Sequence, residues 1–144
     1  GYQFLYAADK EVLQSIKKGE VFQRSLATGQ AYRMALSDYG GLTNRSRHTA
    51  NLKLNAENAK GYFSTIRLIY RSRWGTADQD GNGLINRADE YAKGYVQVNT
   101  SIGLPLNSHW KFMAGVDNLF NYKDIQFLPG NPGSTAYVDI QFIF

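Results

Sequence analysis

Residues 61–74 read GYFSTIRLIYRSRW, and the order of polar and apolar side chains in this stretch decides the fold. Tyr62, Ser64, Ile66, Leu68, Tyr70 and Trp74 fall on one side of an extended chain, and Thr65, Arg67, Arg71 and Arg73 on the other. A strand sends successive side chains to opposite faces, so a period of two marks a strand, whereas a helix repeats every 3.6 residues.

The same rhythm recurs along the chain. In HTANLKLNAEN (48–58), Ala50, Leu52, Leu54 and Ala56 oppose Asn51, Lys53, Asn55 and Glu57. YVQVNTSIGL (95–104), HWKFMAGVDN (109–118) and AYVDIQFIF (136–144) alternate in the same way, and GYQFLYA (1–7) sets Tyr2, Phe4 and Tyr6 on one face. About six strands are predicted. Their connections alternate in length: long segments at about 9–44, 75–91 and 122–133, short ones at ENAK (57–60) and PLNS (105–108). The expected fold is therefore all-β, an antiparallel up-and-down meander.

Bulk properties narrow the function. The 144 residues carry a formal charge of +4 that is scattered rather than blocked, so no nucleic-acid footprint is present. With no cysteine there is no disulfide framework, thiolate metal site or Cys nucleophile. His48 and His109 are the only histidines, far apart and without a Ser-His-Asp arrangement, so no catalytic centre and no enzyme is expected.

A soluble sandwich also alternates, but three features favour a membrane barrel. The strands approach the 9–11 residues that a tilted strand needs to cross hydrocarbon. Short turns on one side and long loops on the other match outer-membrane barrels. Aromatic residues gather near strand ends (Tyr62, Tyr70, Trp74, Tyr95, Trp110, Phe120, Tyr122, Phe142 and Phe144), as two interfacial girdles require. Arg67, Arg71, Lys53, Asp139 and Gln141 would then face a wet lumen.

The run AGVDNLFNYKD (114–124), followed by PGNPGSTAYVDIQFIF (129–144), resembles the last two strands of TonB-dependent outer-membrane receptors. NRSRHTANLKL (44–54) and IYRSRWG (69–75) are similar to the Bacteroidetes branch of that family. The resemblance implies a barrel of about 22 strands around an N-terminal plug, of which residues 1–144 would be the last six strands, a single incomplete domain. A start inside the strand-like run GYQFLYA fits a fragment. The resemblance also makes Phe144, Phe142 and Ile140 an insertion signal read by the barrel-assembly machinery, with the strand carrying it ending in the periplasm. The long segments then become extracellular loops in the outer membrane of a Gram-negative bacterium. The implied partners are outer-membrane lipid, the plug and N-terminal strands, and the TonB complex acting through that plug. The implied function is import of a scarce nutrient: a ferric siderophore, haem, cobalamin or a glycan. The rival expectation is a soluble calcium-stabilised β-domain serving adhesion or carbohydrate binding.

One loop has its own chemistry. DQDGNGLINRADE (78–90) follows the calcium-loop pattern of oxygen ligands at positions 1, 3, 5, 7, 9 and 12, with Gly at 6. Asp78, Asp80, Asn82, the Leu84 carbonyl, Asn86 and Asp89 fill those slots, and Ile85 takes the apolar packing position. Asp rather than Glu at position 12 resembles dockerin loops. The expected cofactor is Ca2+ in a structural role, with one short helical turn within 86–92. In the first long loop, DKEVLQSIKKGE (9–20) predicts a short helix stopped at Gly19. Arg33, Tyr32, Met34 and Tyr39 in the same loop are placed either to touch a ligand or to pack on their neighbours.

Overall fold

Strand pairing follows the alternation residue by residue. The computed structural model describes residues 1–142, in the order β1 (Tyr2–Phe4), α1 (Lys10–Lys18), β2 (Phe22–Arg24), β3 (Ala31–Arg33), β4 (His48–Glu57), β5 (Phe63–Arg71) and β6 (Trp74–Gly75). A 3-10 turn (Ala88–Glu90), β7 (Tyr91–Ala92), β8 (Tyr95–Pro105), β9 (Trp110–Asp117) and β10 (Thr135–Phe142) complete the chain. β1, β4, β5, β8, β9 and β10 lie in that order in one six-stranded sheet; β2 with β3 and β6 with β7 form two small ribbons. The pairs β4–β5, β5–β8, β8–β9 and β9–β10 are all antiparallel, and the large sheet is open, with β1 and β10 at its edges. The all-β antiparallel expectation holds. GYQFLYA contributes only the three residues of β1.

The chain divides into two compact units. The first comprises residues 1–2, 49–71 and 95 onward, and contains most of the large sheet. Its register sorts the two faces. One row runs Leu54, Ile66, Thr100, Val116, Ala136 across five strands; a row of the other face runs Lys53, Arg67, Asn99. From Ala50 to Phe142, no Asp, Glu, Lys or Arg stands on the apolar face of these strands. A soluble sheet buries such a face against a second layer. Here it stays open: Leu54 is 56% exposed, Ile102 58% and Val138 65%.

Aromatic contacts gather at the strand ends of this unit. Near the PLNS turn the Phe142 ring lies 4.8 Å from Trp110 and 6.0 Å from His109. Tyr95 stacks on Tyr122 at 5.0 Å. The DNLFNY run folds as a tight turn organised by Asn118, which is buried and left-handed at φ 53°. Its Nδ2 donates to the Tyr122 carbonyl at 2.8 Å, and its Oδ1 accepts from Tyr122 N at 2.9 Å. Ile140 and Phe142, two residues of the expected insertion signal, lie in β10; Phe144 lies outside the described residues.

The second unit joins residues 3–48 and 72–94, so two segments that read as separate loops fold together. α1 forms where expected. Asp9 caps it, its Oδ1 accepting from Glu11 N and Val12 N, and Gly19 ends it at φ 75°, a left-handed conformation that favours glycine. Ile16, Met34 and Tyr39 form the core, with Val12, Leu13, Val21 and Leu84 packed around them. Met34 and Tyr39 therefore pack rather than stand at the surface. The two segments are stitched by Gly40 N donating to the Ile85 carbonyl and Asn44 N to that of Gly75, both at 2.7 Å. Trp74, expected in an aromatic girdle, is instead buried in this unit as part of β6. A large ring with nearby partners gains more from burial than from a place at a boundary. Among the described residues, no helix is long and apolar enough to cross a membrane.

Candidate metal centre

The loop between β6 and β7 closes on its own side chains. Asp78 Oδ1 accepts from Asp80 N at 3.1 Å and Gly81 N at 2.8 Å, and its Oδ2 accepts from Gly83 N at 2.6 Å. Asp80 Oδ1 accepts from Asn82 N, and Asn82 Oδ1 from Leu84 N at 2.7 Å. Asp and Asn compete with regular secondary structure in this way, each side chain holding the backbone two residues on. Gly81 and Gly83 supply the left-handed turns, at φ 73° and 79°. The Gly83 N–H, foremost, then those of Gly81 and Asn82, hold the Asp78 carboxyl below its ordinary range, against the opposing effect of burial.

Ile85 is buried, as position 8 requires, and packs so closely on Gly75 that a Cβ there would come within 2.5 Å of it. Asn86 at position 9 has a buried Oδ1 with no hydrogen-bond partner among the described residues. A buried polar atom without a partner costs about 1–3 kcal/mol, so a ligand at this position would relieve a real penalty.

The carboxylates brought together are Asp78, Asp80 and Glu90, each offering an oxygen within 4.8 Å of the others. These three could hold a metal ion. Glu90, at position 13, was not among the expected ligands. It is fully buried, with Oε2 accepting from Asn86 N at 2.8 Å and Arg87 N at 2.9 Å, and Oε1 from Gln79 N at 3.1 Å. Asp89, the expected ligand at position 12, lies instead against the Arg87 guanidinium, which donates from Nε at 3.2 Å and Nη2 at 2.8 Å. Arg87 Nη1 also sits 3.4 Å from Asp80 Oδ2. Burial disfavours the charged guanidinium, but Asp80 and Asp89 outweigh it and raise its pKa. The sequence carries one signal for Glu90: two consecutive acids, Asp89 and Glu90, end the loop. Spacing selects the first; the 3-10 turn at Ala88–Glu90 turns the second inward.

The donors fit a hard cation, since every candidate atom is oxygen. Asp78 and Asp80 stand in the cluster, and Asn82 and Leu84 lie within the same closed turn.

Fold and site together define a class: an open antiparallel sheet with a loop unit that carries an all-oxygen candidate metal centre. Comparison with protein-family models, with curated proteins and with solved structures finds no match for the chain.

Proposed function

We infer that the chain is the C-terminal part of the wall of an outer-membrane TonB-dependent transport barrel, and that calcium orders one of its extracellular loops. The observation that carries this reading is the uncharged face spanning β4, β5, β8, β9 and β10, exposed at Leu52, Leu54, Ile66, Ile102, Val138 and Ile140 and half-buried at its centre. In water, leaving that much apolar surface open forgoes about 25 cal/mol for each Å². Against lipid the same face is at home, and the polar face with Lys53, Arg67, Asn99 and Gln141 lines a wet lumen. The lengths of β4, β5 and β8, 10, 9 and 11 residues, support it too, because they match the hydrocarbon thickness. In this reading the transported substrate is a scarce nutrient bound elsewhere in the receptor, and the plug, lipid and assembly machinery are the partners.

Calcium is favoured for the loop because carboxylates and amide or backbone carbonyls in this spacing suit a large hard cation. Expression in the cytoplasm without detergent tests the barrel. Aggregation or inclusion bodies are expected, and a soluble, monodisperse monomer would overturn it. Titration calorimetry with millimolar calcium tests the loop, and an absence of heat would remove the ion.

A further inference from the structure

Arg45, Arg47 and Arg73 stand in two Arg-Ser-Arg runs, 45–47 and 71–73, which meet where His48, just after the first, pairs with Ser72 of the second. Ser72 N donates to the His48 carbonyl at 2.8 Å, and His48 N donates to Ser72 Oγ at 3.0 Å. The pairing brings Arg45, Arg47 and Arg73 to the wall of one cavity of about 240 Å³ in the loop unit, together with Tyr39, His48 and Tyr91. No Asp or Glu lines it.

Three guanidinium groups around one cavity repel each other unless an anion compensates them. No carboxylate forms a close ion pair with Arg45, Arg47 or Arg73 among the described residues. Glu90 and Asp38, the acids that act on Tyr91, point their carboxylates at the Gln79, Asn86 and Arg87 N–H groups and at Gln23 and Ala35, outside the cavity lining. Two of the arginines are also pre-set. Arg47 donates from Nη2 to the Tyr39 carbonyl at 2.9 Å and lies over the Tyr6 ring at 5.1 Å; Arg73 lies over Tyr91 at 4.7 Å. A guanidinium stacked by its face keeps its N–H edge for a planar or tetrahedral oxyanion. Arg45 makes no hydrogen bond or ion pair among the described residues.

The geometry points to an oxyanion site: Arg45, Arg47 and Arg73 bind a phosphate or sulfate group carried by a small ligand or by a lipid headgroup. The cavity equals about eight water volumes, room for the anion and a few atoms of its carrier. The site lies wholly within the loop unit and stands whether or not the sheet faces lipid.

Calorimetry on the intact protein in non-ionic detergent at low salt tests it, using inorganic phosphate and sulfate in one arm and micelles doped with phosphatidic acid in the other. Saturable binding is expected in at least one arm, and which arm identifies the source. Arg45→Gln should weaken it severalfold, and Arg45→Gln with Arg73→Gln by roughly tenfold or more; Arg24→Gln, outside the cavity, should not. Arg45 is exposed and unpartnered, so the single variant reports even if the double variant fails to fold. Absence of saturable binding in both arms, or an unchanged affinity in Arg45→Gln, overturns the proposal.

Discussion

Tyr137 stands directly opposite Gly115 across β9 and β10, and its ring occupies the space where a Cβ on that glycine would be. The contact would be 2.5 Å to the ring and 2.9 Å to the Thr100 carbonyl, and that backbone oxygen cannot swing away. An aromatic ring laid over a glycine compensates for the missing side chain and pins the strand register. Phe63 covers Gly103 in the same manner on the same face. Gly115→Val should therefore cost about 1–3 kcal/mol of stability through overpacking, read as a lower urea midpoint of the intact protein. Restoring space with Tyr137→Ala should recover part of the loss; a double variant no better than the single would show that the ring is not the obstacle.

Glu90 and Asp89 invite opposite outcomes. Removing charge from Glu90 leaves a fully buried group whose amide nitrogen would face backbone donors, so Glu90→Gln should destabilise by about 1–3 kcal/mol. It should also weaken cation binding. Asp89→Asn removes one exposed partner of Arg87, a change within about 0.5 kcal/mol, and should leave cation binding nearly intact. Thermal unfolding and cation titration of the two variants side by side decide the matter. A larger loss of affinity in Asp89→Asn would return the ligand role to position 12.

Much of this architecture was legible because strands declare themselves locally. Leu52, Leu54, Ile66 and Val98 announce their shared face by alternation alone, and the register then places them side by side. The same holds for α1, whose Asp9 cap and Gly19 stop are local signals. The loop unit was not legible, because its core is made of distant partners. Leu84 packs on the core of Ile16, Met34 and Tyr39, and Gly40 bonds to Ile85, contacts that no periodicity encodes. Trp74 went astray for that reason: alternation assigned it to a strand face, while burial beside distant residues decided its place. At the metal centre the spacing rule found Asp78 and Asp80 but selected Asp89, whereas the cluster takes the adjacent Glu90.

Asp78 should keep its charge further into acid than an ordinary carboxylate. Asp78 has its folded-state pKa lowered below the usual 3.8 by the Gly83, Gly81 and Asn82 N–H groups. A lowered pKa means that its contribution to the folded loop is fully present above the unfolded value and is lost as pH falls through the folded one. Cation affinity should therefore hold from neutrality down through the ordinary carboxylate range and fall only below it, as far as Asp78 governs it. Asp78→Asn should abolish both the affinity and this acid limb. Affinity that already collapses well above pH 4 in the native protein would assign the controlling proton to another group.

Asn118 combines two roles that substitution can separate. Its left-handed backbone favours Asn or Gly, and its amide closes the turn at Tyr122. Asn118→Gly keeps the backbone and loses the amide, a cost of about 1–3 kcal/mol. Asn118→Ala loses both and should cost about 1 kcal/mol more, the penalty of a left-handed residue with a Cβ. Chemical unfolding of the two variants measures the difference. Equal losses would mean that φ contributes nothing to this turn.

The two faces of the sheet offer the sharpest contrast, since one residue step along β8 changes the surroundings of a side chain entirely. Ile102 stands on the uncharged face between Ser64 and Ala114, whereas Ser101 stands on the other between Thr65 and Gly115. If the uncharged face meets lipid, Ile102→Arg should cost about 1–4 kcal/mol, the penalty for arginine between the interface and the middle of a bilayer. Ser101→Arg, facing a wet lumen, should cost far less, with no lipid to exclude its charge. Refolding the intact protein into vesicles across a urea series reads both values. Were both sides bathed in water, the order would reverse or vanish: arginine at an open position 102 would be nearly free, and the crowding beside Gly115 and Tyr137 would make position 101 the costlier one.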